Sequence, residues 1–457
     1  MGRKYEYDYI VIGSGPAGVA AALGLATGRK RVAIVEGGRL GGARVNTRDI
    51  PYSIALDFAY RYARFSATPE FGQQDISFSF PTLVSRQLKA IARASASVKS
   101  QLETAGVTYL DGYAHFLDPH TIAVGEVQHT SADFILATGA TLKATEISGL
   151  DSVNYLTPDT AIRTRRLPKA VFVVGGGATG CEIAEYFASL GTKVLIAETA
   201  ERILPREDKE VGVTITDYFT TELGITVLPS SKVIALEQDD LSKKVIFQAG
   251  RTQKVVRVDC IVLATGSQPA IDCGLDNAGV KYLPTGIKVN KYFETSTKTI
   301  YAVGDCTGAD SSTERAEYEG ALLASNIINK TNNTPNYHGF IRITDTYPQV
   351  ATVGFTEDDL IRRDRKYQKS LMPLSQSIAG TVHSVDYGFV KLLADKQAHR
   401  ILGATIVAPS ASLMAEELAL AIRYGITLPE LAGTPHVADS LSYTVRLAAK
   451  DLVLRKK

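Results

Sequence analysis

An α/β fold built around two dinucleotide-binding domains is what the sequence predicts, and three observations predict it. A strand, a glycine-rich turn and a helix follow one another at the N-terminus. The same unit recurs with its first glycine at Gly175 instead of Gly13. In both units the second strand ends on a glutamate 23 positions after that first glycine, at Glu36 and at Glu198.

The first unit reads Tyr9-Ile10-Val11-Ile12, then Gly13-Ser14-Gly15-Pro16-Ala17-Gly18, then small residues at helical spacing from Val19 to Leu25. Gly13 permits the tight turn, Gly15 lets backbone N–H groups approach a pyrophosphate, and Gly18 lets the helix pack closely on the strand. The helix N-terminus adds partial positive charge where the phosphates would sit. A second strand, Arg31 to Val35, leads to Glu36, whose carboxylate can accept hydrogen bonds from ribose hydroxyls.

The second unit has strand Ala170 to Val174, glycines Gly175, Gly177 and Gly180, a helix expected over Glu182 to Leu190, and strand Lys193 to Ala197 ending at Glu198. A carboxylate there bonds a ribose 2′-OH and repels a 2′-phosphate, so NADH is favoured over NADPH. Arg202 keeps NADPH possible, since a nearby guanidinium can reach a phosphate. Two apolar runs close on Ala-Thr-Gly, at Thr138-Gly139 and Thr265-Gly266, and a third strand ends in Gly304-Asp305.

A chain of 457 residues holds more than one core, about two to four domains. Lys+Arg 50 against Asp+Glu 48 leaves a net charge of +2, with no basic stripe for nucleic acid. No apolar run reaches the roughly 18 residues of a membrane span. The first strand begins within a few residues of Met1, which leaves no room for a secretion signal, so a cytoplasmic location is expected. Cys181, Cys260, Cys273 and Cys306 show neither metal-site nor Cys-x-x-Cys spacing and read as small buried residues.

In this order of motifs the chain resembles the pyridine nucleotide-disulfide oxidoreductases, the family of dihydrolipoamide dehydrogenase, glutathione reductase and mercuric reductase. The likeness includes Arg202-Ile203-Leu204-Pro205 with Asp208 and Glu210, Tyr347-Pro348 through Gly354, Gly388 to Lys391 and Gly403 to Val407. It implies two Rossmann-like domains, for FAD and NAD, plus a C-terminal α+β dimerisation domain. The expected bounds are 1–145 and 273–335 for FAD, 146–272 for NAD(P), and 340–457 for a homodimer interface. By resemblance, Gly42, Ser53, Ala114, Thr138, Gly139 and Gly304 contact FAD, Asp305 holds its ribityl chain, and Gly266 belongs to the cofactor-binding set.

The chain departs from the family where its chemistry resides. Relatives carry two cysteines, with four residues between them, after Gly-Gly-Thr; here Gly41-Gly42-Ala43 leads to Arg44 and Asp49 in those places, with Asn46 and Pro51 keeping the register. The family's lysine becomes Ser53, although its ion-pair partner is retained as Glu182. The C-terminal His-Pro-Thr-x-x-Glu pair is replaced by Ala438 to Tyr443, with His436 two positions upstream.

Disulfide reduction needs thiols and an acid for the leaving thiolate. Their joint loss implies an NADH-dependent flavoprotein that passes electrons directly to a small non-thiol acceptor, quinone-like in the first instance. Transhydrogenation and a low-turnover redox sensor are the alternatives. Arg44, Asp49 and Glu182 are the candidate catalytic residues, with a salt bridge expected between the first two. The rings of Tyr52, Phe58, Tyr60, Tyr62 and Phe65 either line an acceptor pocket or pack one face of a helix.

Overall fold

The computed structural model describes residues 4–67, 77–143, 145–239, 242–308 and 312–455. Their backbone groups into two units: Met1–Ile54, Ser79–Ala144 and Gly266–Tyr337 in the first, and Ala55–Phe78, Thr145–Thr265 and His338–Lys457 in the second.

In the first unit, β1 (Tyr7–Ile12) leads through the glycine turn into α1 (Pro16–Thr27) and β2 (Val32–Glu36). The helix begins three residues before the expected Val19, because Pro16 has its φ already set for a first helical position and Gly15 serves as the N-cap. There follow α2 (Gly42–Asn46), α3 (Asp49–Ala67), α4 (Phe80–Thr104), β3 (Thr108–Asp111), β4 (Ala114–Asp118), β5 (Thr121–Val124) and β6 (Val127–Leu136). The sheet runs β3-β2-β1-β6-β5-β4, and Ile300–Ala302 also pairs with β6. Ile10 and Val11 are fully buried, as an apolar strand covered on both faces must be.

The helix Thr313–Asn329 lies against α1 at the closeness only glycine allows. A Cβ on Gly320 would sit 2.1 Å from the Ala17 carbonyl oxygen, and one on Gly24 would sit 2.6 Å from the Ala324 Cβ. This contact fixes the later helix against the glycine turn, and with it the residues at its N-terminal end.

In the second unit a parallel sheet is ordered Thr226–Leu228, Lys193–Ala197, Ala170–Val174, Cys260–Leu263. Its helix covers Ala178–Ser189 and starts directly after its N-cap Gly177, four residues before the expected Glu182. The same unit holds a five-stranded antiparallel sheet containing Gln349–Gly354, Ile401–Ala408 and Phe389–Asp395, the strands built from the C-terminal motifs. Helices Ala411–Tyr424 and Tyr443–Leu454 pack their apolar faces on it through Met414, Leu418, Val445 and Leu452.

This unit encloses the charge of Lys391 together with that of Asp208. Lys391 is 1% exposed, and its Nζ lies 2.8 Å from Glu357, 2.9 Å from Glu210 and 3.1 Å from Asp208. A lone buried ammonium is costly, and three carboxylates here compensate it. Among the described residues, no helix is long and apolar enough to cross a membrane.

Candidate functional site

The glycine turn of the first unit opens onto a cleft of about 1000 Å³, at the upper end of the range of roughly 300–1,000 Å³ for ligand sites. Gly13 has φ +105°, and a Cβ there would lie 2.3 Å from the Ala137 carbonyl oxygen. A Cβ on Gly18 would lie 1.9 Å from the carbonyl oxygen of Gly13, so Gly18 is needed for packing on the turn itself. Gly15 differs from both, because a Cβ there would meet nothing within 4 Å. Gly15 lines the cleft, and no side chain caps the N–H groups of α1.

Glu36 is held at the cleft by the turn it serves. Its Oε2 accepts from the Ser14 N–H (3.0 Å) and the Ser14 hydroxyl (2.7 Å), and its Oε1 accepts from the Gly38 N–H (2.8 Å). Ser14 Oγ in turn accepts from the Gly41 N–H at 3.1 Å, tying the turn to the segment that carries Gly42. The sequence analysis assigned Ser14 no role; it is completely buried, and its hydroxyl joins Glu36 to the Gly41 N–H.

The cleft also gathers Gly42, Ala114, Thr138, Gly139, Gly304 and Asp305. Thr138 Oγ1 donates to the Ala270 carbonyl at 2.5 Å, and the Ala270 N–H returns a bond to Gly139 O at 2.9 Å. The Gly304 N–H donates to Glu319 Oε2 at 2.8 Å. Glu319, 1% exposed, also receives Arg315 Nε (2.8 Å) and the Tyr337 hydroxyl (2.7 Å). This buried carboxylate anchors the Gly304-Asp305 turn, and its helical setting gave no hint of that in the sequence. The whole set suits an elongated dinucleotide: uncapped N–H groups, an open glycine, and carboxylates at both ends of the chain trace.

Arg44 and Asp49 line the same cleft and form the expected salt bridge, at the long end of its range. Arg44 Nε is 3.9 Å from Asp49 Oδ2, a loose ion pair. The guanidinium's shorter bond goes to Glu317, with Nη1 donating to its Oε2 at 3.0 Å, and Thr313 donates to Asp49 Oδ2 at 2.8 Å. Both competitors come from the helix seated on α1. Burial pushes the Asp49 carboxyl above its ordinary value; the charge of Glu314 adds to this, while the Thr313 bond and Arg44 oppose it.

The second glycine turn repeats the backbone geometry of the first, with Gly176 in the place of Ser14. Gly175 has φ +107°, with a Cβ position 2.4 Å from the Ala264 carbonyl oxygen; Gly180 would clash at 1.9 Å with Gly175 O; Gly177 again meets nothing within 4 Å. Glu198 Oε2 accepts from the Gly176 N–H and its Oε1 from the Ala200 N–H, each at 2.8 Å. Arg202 points elsewhere: its Nη2 donates to the Glu207 carbonyl at 3.2 Å and lies 3.6 Å from Asp358. Gly266 follows this unit's last parallel strand and accepts from the Lys143 N–H at 3.0 Å within the first unit.

Other candidates are placed differently from expectation. Ser53 is exposed on α3 and lies outside the cleft lining, one helical turn (about 6 Å) further along the axis than Asp49. Glu182 Oε1 accepts from the Asp345 N–H at 2.9 Å. The aromatic residues pack against one another: Phe58 and Tyr62 each meet Phe78 edge-on, and Tyr60 lies 4.5 Å from Tyr347. His436 is packed, with Nε2 2.9 Å from Glu417 and Nδ1 3.0 Å from the Thr434 carbonyl. The four cysteines are all free and buried.

Comparison with known proteins bears on this geometry directly. Residues 7–325 match the family described as pyridine nucleotide-disulphide oxidoreductase, and residues 342–449 match that family's dimerisation domain. The chain belongs to the pyridine nucleotide-disulphide oxidoreductases. Within the family it is similar to the dihydrolipoyl dehydrogenase of Chlorobaculum parvum, 32% identical over 97% of this chain and 96% of that one. It is also similar to the mercuric reductase of Bacillus cereus, 30% identical over 98% of this chain and 72% of the relative. LpdA from Mycobacterium tuberculosis superposes with a TM-score of 0.88 at 25% identity, covering 97% of this chain and 99% of the other.

Membership makes the protein an NAD(P)H-dependent flavoprotein oxidoreductase using FAD. The residues in the first cleft fit FAD by their uncapped helix, open Gly15 and anchored Glu36. The dimerisation domain supports a homodimer.

Proposed function

We propose that this family member passes electrons from NADH through FAD directly to a small non-thiol acceptor, quinone-like in chemistry, with no disulfide relay. One observation supports the reading: all four cysteines of the chain are free and buried away from the cleft's Arg44 and Asp49, the residues the family resemblance matches to the relatives' thiols. Buried free thiols also accord with a reducing, cytoplasmic setting.

In this proposal residues 1–145 and 273–335 bind FAD and residues 146–272 bind the nicotinamide nucleotide. When bound, FAD supplies the chemistry of accepting a hydride and releasing two electrons. The first turn, Gly13 to Gly18, receives the pyrophosphate, Glu36 the adenosine ribose, and Asp305 the ribityl chain. Glu198 receives the ribose of NADH and discriminates against a 2′-phosphate, with Arg202 already engaged by Glu207 and Asp358. Asp49, which lines the cleft and whose carboxyl burial raises above the ordinary aspartate value, is the group placed to exchange a proton with the acceptor. Arg44 supplies positive charge beside it.

The test mixes purified holoenzyme anaerobically with NADH, then with a quinone panel, dioxygen, thio-NAD and oxidised lipoamide. The proposal expects flavin bleaching by NADH and rapid recovery with quinones only. Recovery with oxidised lipoamide would overturn it; recovery with thio-NAD alone would mark a transhydrogenase.

A further inference from the structure

One wall of the first unit's cleft carries an aromatic ring that the protein itself leaves uncovered. Strands β2 and β3 run parallel with Glu36 paired to Asp111, and the Gly112 N–H donates to the Glu36 carbonyl at 3.0 Å. The chain therefore leaves β3 beside Glu36. Ala114 and Phe116, in β4, are buried, and the alternation they set sends Tyr113 outward.

Tyr113 is 80% exposed, more than any other large apolar side chain among the described residues. It nevertheless lines the cleft, in company with Glu36, Gly37, Gly38 and Gly112. A Cβ on Gly37 would lie 2.5 Å from Cγ and Cδ1 of Tyr113 and 2.6 Å from Cε1, three consecutive atoms down one edge of the ring. The ring thus rests on the bare backbone of Gly37, directly after the ribose carboxylate, and any side chain at position 37 would displace it. Most of the ring stays open to solvent, on a concave wall, where a flat ligand can cover it.

The order of groups along a dinucleotide says which part of it arrives there. With the pyrophosphate at the Gly13 to Gly18 turn and the adenosine ribose on Glu36, the next group outward is the purine base. We propose that Tyr113 stacks on the adenine of FAD and sets the affinity of the protein for the adenosine half of the cofactor. The proposal rests on the placement of FAD in this cleft and names a residue that spacing did not single out. Stacking uses the ring and not the hydroxyl, so phenylalanine serves in its place and alanine does not.

The first measurement is the FAD dissociation constant of the holoenzyme, read from the flavin fluorescence regained on dilution. Tyr113→Ala is expected to weaken FAD binding about tenfold, and Tyr113→Phe to keep it within about twofold of wild type. The second measurement reads the contact itself. The chain contains no tryptophan, so Tyr113→Trp places a single indole on the rim. Added to the flavin-free full chain of that variant, ADP, which carries the adenosine half and no flavin, is expected to quench the indole emission; inorganic pyrophosphate is expected to leave it unchanged. FAD binding indifferent to Tyr113→Ala, emission unmoved by ADP, or equal quenching by pyrophosphate overturns the stacking role. Gly15→Ala separates that failure from failure of the cleft placement. FAD weakened by Gly15→Ala but not by Tyr113→Ala removes Tyr113 and keeps the cleft; FAD unaffected by either removes both.

Discussion

Lys391 shows how strongly one residue can bind a fold together. Its ammonium is enclosed with Asp208, Glu210 and Glu357, and breaking such a group leaves uncompensated buried charge. Lys391→Met is expected to destabilise the protein by about 3–5 kcal/mol, read by denaturant unfolding. Against the burial that pushes it up, hydrogen bonds from Lys369, Lys391 and Tyr367 hold the Glu357 carboxyl down at about 2, from the ordinary 4.5. A carboxyl lowered by folding contributes stability that is complete above its unfolded value and drains away as pH falls towards the folded one. The wild type therefore loses part of its stability between about pH 4.5 and 2 through this group, and melting curves of Glu357→Gln should be flatter over that window. Asp49 has the opposite sign. With Asp49 as the proposed proton donor, acceptor reduction should slow as pH rises through its raised pKa, and Asp49→Asn should abolish the dependence in the pH profile. Neither network was legible in the sequence, because partners such as Lys391 and Asp208 lie far apart along the chain.

At the level of elements, the glycine turns divide by role. Gly13→Ala forces a side chain into a positive φ and into the Ala137 carbonyl, and should lower the melting temperature even without cofactor. Gly15→Ala meets no protein atom, so its expected effect is weaker FAD retention with an almost unchanged apoprotein melt. Comparing the two by calorimetry and flavin absorbance separates a fold glycine from a ligand glycine. These turns were readable from spacing, since strand, turn, helix and acid are local features with one geometric solution. The segment after the first turn was less so. Its residues fold into α2 and α3, which turns Ser53 out to solvent, and its charges are claimed by Glu317 and Thr313 from a helix more than 260 residues later. The aromatic run was ambiguous for the same reason: helical periodicity places rings on a face without saying what that face meets.

For the molecule as a whole, two copies of one supersecondary unit carry the same carboxylate wiring, at Glu36 and Glu198, with matched donors two residues on and 22 residues back. The fold class and the family followed from that repetition. The electron acceptor did not, because one fold serves many acceptors and the choice lies in the side chains of the site, Arg44 and Asp49 in the proposal above. The difference has a countable consequence. A flavin with a redox disulfide beside it stores two electron pairs per subunit, whereas a flavin alone stores one. The most direct measurement is an anaerobic reductive titration of the holoenzyme with thiols counted at the end point. One two-electron equivalent per FAD, with no thiols appearing on reduction, is the expected result. Uptake of a second equivalent with the release of two reactive thiols would contradict direct transfer.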